Sequence, residues 1–184
     1  IFGIGQLPKG DKDPFALRRA AIGVLRIITE LSLPLDLDVL VAKAVSVYGS
    51  KLTNQSTQEQ VVDFVLGRFT ALLQDQDVAI DVIQAVAARR PTKPADYLAR
   101  VNAVAAFKAL EESEALAAAN KRVANILAKQ NVEITSEVHI DSALLTEDAE
   151  KALNSALVTA QLQVNEALAS QDYQRILTTL ATLR

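Results

Sequence analysis

Apolar residues recur at helical spacing in run after run along this chain, and helix-stopping residues fall between the runs. Leu17, Ala21, Val24, Leu25 and Ile28 keep a three- and four-residue spacing as far as Leu31, and Pro34 stops the element. Asp13-Pro14 supplies an N-cap and a first-turn proline for its start. Asp36 is placed to cap a second helix with Leu37, Leu40, Val41, Ala44, Val45 and Tyr48 on one inward face, and Gly49 follows as its stop. Ser56 and Glu59 have capping-box spacing. They open a third helix with Val61, Val62, Val65, Leu66, Phe69, Leu72 and Leu73 inward. Gly67 inside it costs about 1 kcal/mol relative to Ala, which a close helix crossing would explain.

A fourth helix runs from Asp77 to Arg89, where Pro91 and Pro94 interrupt the pattern. A fifth spans 94–110 and a sixth 113–129, with Ser113 as its cap. The seventh opens at Thr146 with Glu147, Asp148 and Glu150 in an acidic first turn, and runs to Ser170. Asp172 caps the eighth. Residues 1–12, with three Gly and Pro8, read as a loop or frayed end. Residues 130–145 have no helical period. Val132, Ile134, Val138 and Ile140 alternate with polar residues, but no second run exists to pair with them, so a loop is expected. The fold class is all-α, a bundle of about eight helices. The Pro turn is the expected domain boundary, separating 1–90 from 94–184.

Ala, Leu, Val and Ile make up most of the 50% hydrophobic content, which favours helix over strand and supplies a core. With no Cys there is neither a disulfide framework nor a thiolate metal site, which fits a cytoplasmic protein. No apolar run approaches the roughly 18 residues of a membrane span. The chain starts at Ile1 and ends at Arg184 inside a helical pattern, as expected of a piece of a longer protein.

Charge is distributed unevenly. Between 89 and 129 lie Arg89, Arg90, Lys93, Arg100, Lys108, Lys121, Arg122 and Lys129, against Asp96, Glu111, Glu112 and Glu114. That balance is +4 in a chain of net charge −3, and it points to a polyanion met at a patch. Lys121, Arg122 and Lys129 on the sixth helix could contact phosphates, with Asn120 and Asn125 reaching base or sugar edges; an ordinary solvated face is the competing interpretation. Arg89, Arg90 and Lys93 flank the Pro turn, where they could touch an RNA backbone or simply complement a helix C-terminus. Tyr97, beside that turn, is the best candidate to stack on a base, since Phe64, Phe69 and Phe107 have core spacing.

Catalytic and metal candidates are absent from the sequence. His139 is the one His and cannot make a zinc site without Cys. The paired carboxylates Glu111-Glu112 and Glu147-Asp148-Glu150 sit at helix starts, where capping and solvation account for them. Gly3-Ile4-Gly5 and Lys9-Gly10-Asp11-Lys12 lack the spacing and preceding strand of a phosphate loop.

Several stretches, in order, resemble the C-terminal part of the beta subunit of bacterial two-subunit glycyl-tRNA synthetases. They are Gly3 to Gly10, Asp13 to Ala21, Leu33 to Leu37, Val62 to Phe69, Asp81 to Pro91 and Glu114 to Lys129. The resemblance implies a tRNA-binding, non-catalytic fragment of an aminoacyl-tRNA ligase. Its partners would be glycine tRNA and an alpha subunit that carries the ATP- and magnesium-dependent chemistry, with no cofactor in this piece and no DNA or membrane partner. Residues 1–90 would be a helical body segment following an HD-like region. Residues 94–184 would be a truncated module similar to the anticodon-binding domain of arginyl-tRNA synthetases. A structural scaffold for subunit assembly is the alternative.

Overall fold

The structure, a computed structural model, describes residues 1–8, 12–13, 15–130 and 140–183. Among them are eight α-helices and no strand. The helices are α1 (Leu17–Glu30), α2 (Leu37–Tyr48), α3 (Thr57–Gln74), α4 (Ile80–Ala87), α5 (Pro94–Lys108), α6 (Glu111–Lys129), α7 (Asp148–Ala169) and α8 (Tyr173–Ala181). Short 3-10 turns occupy Phe2–Ile4, Gly49–Lys51 and Ser142–Leu144. The all-α expectation holds. Ile140 lies in an exposed non-helical stretch, while Val132, Ile134, Val138 and His139 lie outside the described residues. The chain divides into two compact units, Ile1–Asn102 and Ala103–Arg184. The division falls inside α5, beyond the Pro turn, because Pro94, Tyr97 and Val101 pack into the first unit's core.

The first unit is organised around α3, which touches α1, α2, α4 and the N-terminal 3-10 turn. Its buried face is Val62, Val65, Phe69, Leu72 and Leu73, close to the expected stripe. Against it stand Ala21, Leu25 and Ile28 of α1 and Val82, Ile83 and Val86 of α4, at the three- and four-residue spacing that puts them on one side of each helix. Phe69 and Tyr97 meet with ring centroids 4.8 Å apart at 56°, a tilted aromatic pair. Phe64 is only half-buried; Phe2 packs edge-on to it at 5.2 Å and the Arg68 guanidinium lies 5.8 Å above its ring.

Helix ends follow local chemistry. Asp36 caps α2 by accepting from the Asp38 N–H at 2.9 Å, and Gly49 ends it with φ 53°. Asp172 caps α8 by accepting from the Arg175 N–H at 3.0 Å. At α1 the capping carboxylate is Asp13, which accepts from the Leu17 and Arg18 N–H groups at 2.8 and 2.9 Å although Ala16 holds the N-cap position. The hydrogen bond from the Arg18 N–H is the chief reason the Asp13 carboxyl sits below its ordinary pKa. Pro14 lies outside the described residues.

Four expectations change. Ser56 makes no side-chain cap to α3. Asn54 organises that corner instead: its Oδ1 accepts from the Ser56 N–H at 3.1 Å, its carbonyl takes the Thr57 hydroxyl at 2.6 Å, and its Nδ2 donates to the Phe2 carbonyl and Gln60 Oε1, each at 2.9 Å. The reciprocal capping box occurs at α7, between Glu147 and Glu150. Ser113 does not start α6; Leu110 holds the N-cap position, and the Ser113 hydroxyl donates to the Leu110 carbonyl at 2.7 Å. Of the face expected inward on α2, Leu37 alone is buried. Gly67 is not at a crossing, since a Cβ built there meets nothing within 4 Å. Its helix-weakening effect is therefore uncompensated. Gly67→Ala is expected to raise the chain's unfolding free energy by about 1 kcal/mol, read as a higher urea midpoint at unchanged slope.

The second unit is thinner. Among its described residues, those buried are Ala103, Ala160, Ala167 and Ala181. Helices α7 and α8 form its main contact, with α6 touching α8. The turn between α7 and α8 closes with the Asp172 N–H donating to the Ala167 carbonyl at 2.8 Å and an Arg175–Glu166 ion pair at 3.1 Å.

Candidate nucleic-acid interface

The Pro turn of the first unit is built to hold still. After α4 ends, the Arg89 and Arg90 N–H groups bond back to the Val86 and Ala87 carbonyls at 3.0 and 2.8 Å, and Arg90 takes φ 45°. The Thr92 carbonyl accepts the Leu37 N–H at 2.9 Å, and the Thr92 hydroxyl donates to Asp36 Oδ2 at 3.1 Å. Arg90 binds Asp63 of α3 through Nη2 at 2.7 Å and Nε at 3.1 Å, with Asp38 of α2 3.8 Å from Nη1. The hydrogen bond to Asp63 is the main cause that holds its guanidinium pKa above the ordinary value. Arg90 is thus a tie between three segments of one unit rather than a free cation, and Arg100 is paired with Asp96 at 2.8 Å. Arg89 and Lys93 stand exposed on the same turn.

Tyr97 does not offer a face to a base. It is 1% exposed, and its ring lies against Phe69. That geometry overturns the expectation of base stacking at Tyr97. Its spacing with Pro94 and Val101, three and four residues, is the readable signal of a core stripe. The Tyr97 hydroxyl is buried with no hydrogen bond, the Thr70 side chain being the polar group that faces it outside bonding geometry. Burial pushes its phenol pKa above the ordinary 10.0. The folded chain therefore holds this proton more tightly than the unfolded one. That contribution is present below pH 10 and is lost as pH rises through the folded value. Tyr97→Phe is expected to leave stability at neutral pH within about 1 kcal/mol. Above pH 10 the variant should lose stability less steeply than the parent, by up to about 1.4 kcal/mol per pH unit in urea titrations.

On α6 the cations are placed differently. Asn120, Lys121, Arg122, Asn125 and Lys129 are all exposed, and no residue of this helix is buried. At about 100° per residue, Lys121, Asn125, Lys129 and Arg122 fall within an arc of about 100°, and Asn120 lies well off it. Val123 and Ile126, 54% and 46% exposed, begin the separate apolar side. Among the described residues no carboxylate pairs with Lys121, Arg122 or Lys129. Glu111, Glu112 and Glu114 occupy the first turn, at the positive end of the helix dipole and away from the cations. The sequence cluster thus resolves into a locked basic turn in the first unit and a cationic helix face in the second.

No group of three His, Cys, Asp or Glu side chains among the described residues converges as a metal site would. No helix among them is long and apolar enough to cross a membrane. These features define a class: a helical module with a solvent-facing cationic strip and, among the described residues, no metal-binding cluster. Residues 1–88 match the family described as glycyl-tRNA synthetase beta subunit. The whole chain is 80% identical to the glycine–tRNA ligase beta subunit of Alteromonas mediterranea, 59% to that of Actinobacillus pleuropneumoniae serotype 5b and 57% to that of Shewanella oneidensis. In each case all of the chain is aligned, and it spans 27%, 26% and 26% of the relative's length. The chain belongs to the glycyl-tRNA synthetase beta-subunit family.

Proposed function

We propose that this chain is a tRNA-binding, non-catalytic part of a glycine–tRNA ligase of the cytoplasm. Family membership supports a role in glycyl-tRNA synthesis. The attachment of glycine, with its ATP and magnesium, belongs in this reading to the partner alpha subunit. Residues 94–184 serve as the anticodon-binding-like segment. The observation that carries the proposal is the α6 strip. Lys121, Arg122 and Lys129 share one exposed side of a helix with Asn125 and carry no described counter-charge. Cations so placed exchange solvent counterions for phosphates, while an amide side chain among them can reach a sugar or base edge.

A scaffold role without RNA contact has its own supporting observation. Arg90 is neutralised within the first unit, and residues 31–88 carry three basic against seven acidic side chains. Titrating glycine tRNA against the chain over a series of salt concentrations separates the two. Phosphate contact gives an affinity that falls steeply and linearly on logarithmic axes. A flat response, or equal affinity for an unrelated polyanion, removes the tRNA reading and leaves the scaffold.

A further inference from the structure

Helix α2 is apolar nearly all round. Of its twelve residues, Asp38, Lys43 and Ser46 alone are polar. A helix of that composition belongs in the interior of a larger body. Here it is a surface helix: Val39 is 66% exposed, Val47 75%, Tyr48 59% and Leu40 39%. Its other flank is also incompletely filled. Val41, Ala44, Val45 and Tyr48 line an open apolar cleft of about 280 Å³ against Phe2 and Leu52. The outward arc from Val39 to Tyr48 carries one charge, Lys43, whose alkyl stem can lie along an apolar surface with its ammonium at the edge.

The relatives supply the candidate cover. Nearly three quarters of each relative's length lies outside the segment this chain matches. A face this poor in charge resembles the interior of a domain more than the polar-rimmed contact of partners that separate. A covering segment in the same polypeptide also acts at the high effective concentration of an intramolecular contact. We infer that the outward face of α2 is a core surface of the full-length beta subunit, covered by the remainder of that same polypeptide. The inference rests on family membership and is independent of the tRNA reading.

The chain has no native cysteine, so one introduced at this face is a specific reporter. Val47→Cys is placed in the 184-residue chain and in a full-length beta subunit carrying this segment, and maleimide labelling of the position-47 peptide is timed by mass spectrometry. Val39→Cys is a second, independent reporter on the same arc. Both positions should label at the rate of a free thiol in the short chain, and at least about 100-fold more slowly in the full-length subunit without its partner. Three results would overturn the inference. Equal rates in both proteins would leave the face uncovered. Protection that arises only when alpha subunit is added would make that subunit the cover. Protection in the short chain that grows with its concentration would assign the face to a second copy.

Discussion

Phe69→Ala is expected to remove about 3–5 kcal/mol from the stability of the first unit. The ring is 1% exposed, sits on the helix that touches α1, α2 and α4, and is the partner of the Tyr97 ring at 4.8 Å. Truncation leaves a void beside a large buried tyrosine whose hydroxyl already lacks a hydrogen bond. Neither α3 nor α5 can close that space without moving other buried side chains, so a cavity cost adds to the lost transfer energy. Against the 5–15 kcal/mol typical of a whole domain, such a loss takes a large share of the margin. Urea unfolding followed by helical circular dichroism measures it. A change under about 1 kcal/mol would mean that Phe69 is not the centre of this core.

The second large effect concerns binding. Changing Lys121, Arg122 and Lys129 together to Ala is expected to lower affinity for glycine tRNA by roughly two orders of magnitude near 0.1 M salt. The slope of log affinity against log salt should become shallower by about 2–3 units, one for each phosphate no longer neutralised. Fold damage is not a competing explanation, because the three side chains are exposed and Ala is the strongest helix former. Asn120→Ala serves as a comparison on the same helix: its position off the cationic arc predicts a change several-fold smaller. An unchanged slope in the triple variant would exclude the α6 strip as the contact surface.

Helix ends were legible in the sequence wherever one side chain decides them. Asp36 and Asp172 each accept from an N–H two or three residues on, and Gly49, free of a Cβ at φ 53°, closes α2 on the Val45 carbonyl four residues back. Ser56 failed as a cap because a competitor, Asn54, is tied to the Phe2 carbonyl more than fifty residues back in the chain. Local spacing contains nothing of that contact. Periodicity identified the apolar side of α2 but could not say whether a neighbour stands opposite, and there the exposed residues depart from expectation. The basic cluster was legible only as a list. Nearness along the chain put Arg90 beside Arg89, while Asp63 and Asp38, on two other helices, fix what Arg90 does. The Pro turn beside Tyr97 suggests an exposed ring, whereas its spacing to Pro94 and Val101 marks a core stripe, and the core stripe prevails. On α6, where function was expected from a single helix, residue spacing alone sets which side chains share a face. The grouping of Lys121, Asn125, Lys129 and Arg122 follows from the helical repeat.

Helices α7 and α8 are in contact, and the buried residues they carry, Ala160, Ala167 and Ala181, are all alanines. Methyl groups let two helix backbones approach closely, so the seam dictates spacing with little tolerance for anything larger. The same small groups remove little apolar surface from water, which leaves cohesion modest. Shape and strength are thereby separated in this hairpin. A methylene-rich substitution at Ala167, which is 0% exposed, would act as a wedge, and this hairpin has little binding energy in reserve to absorb it.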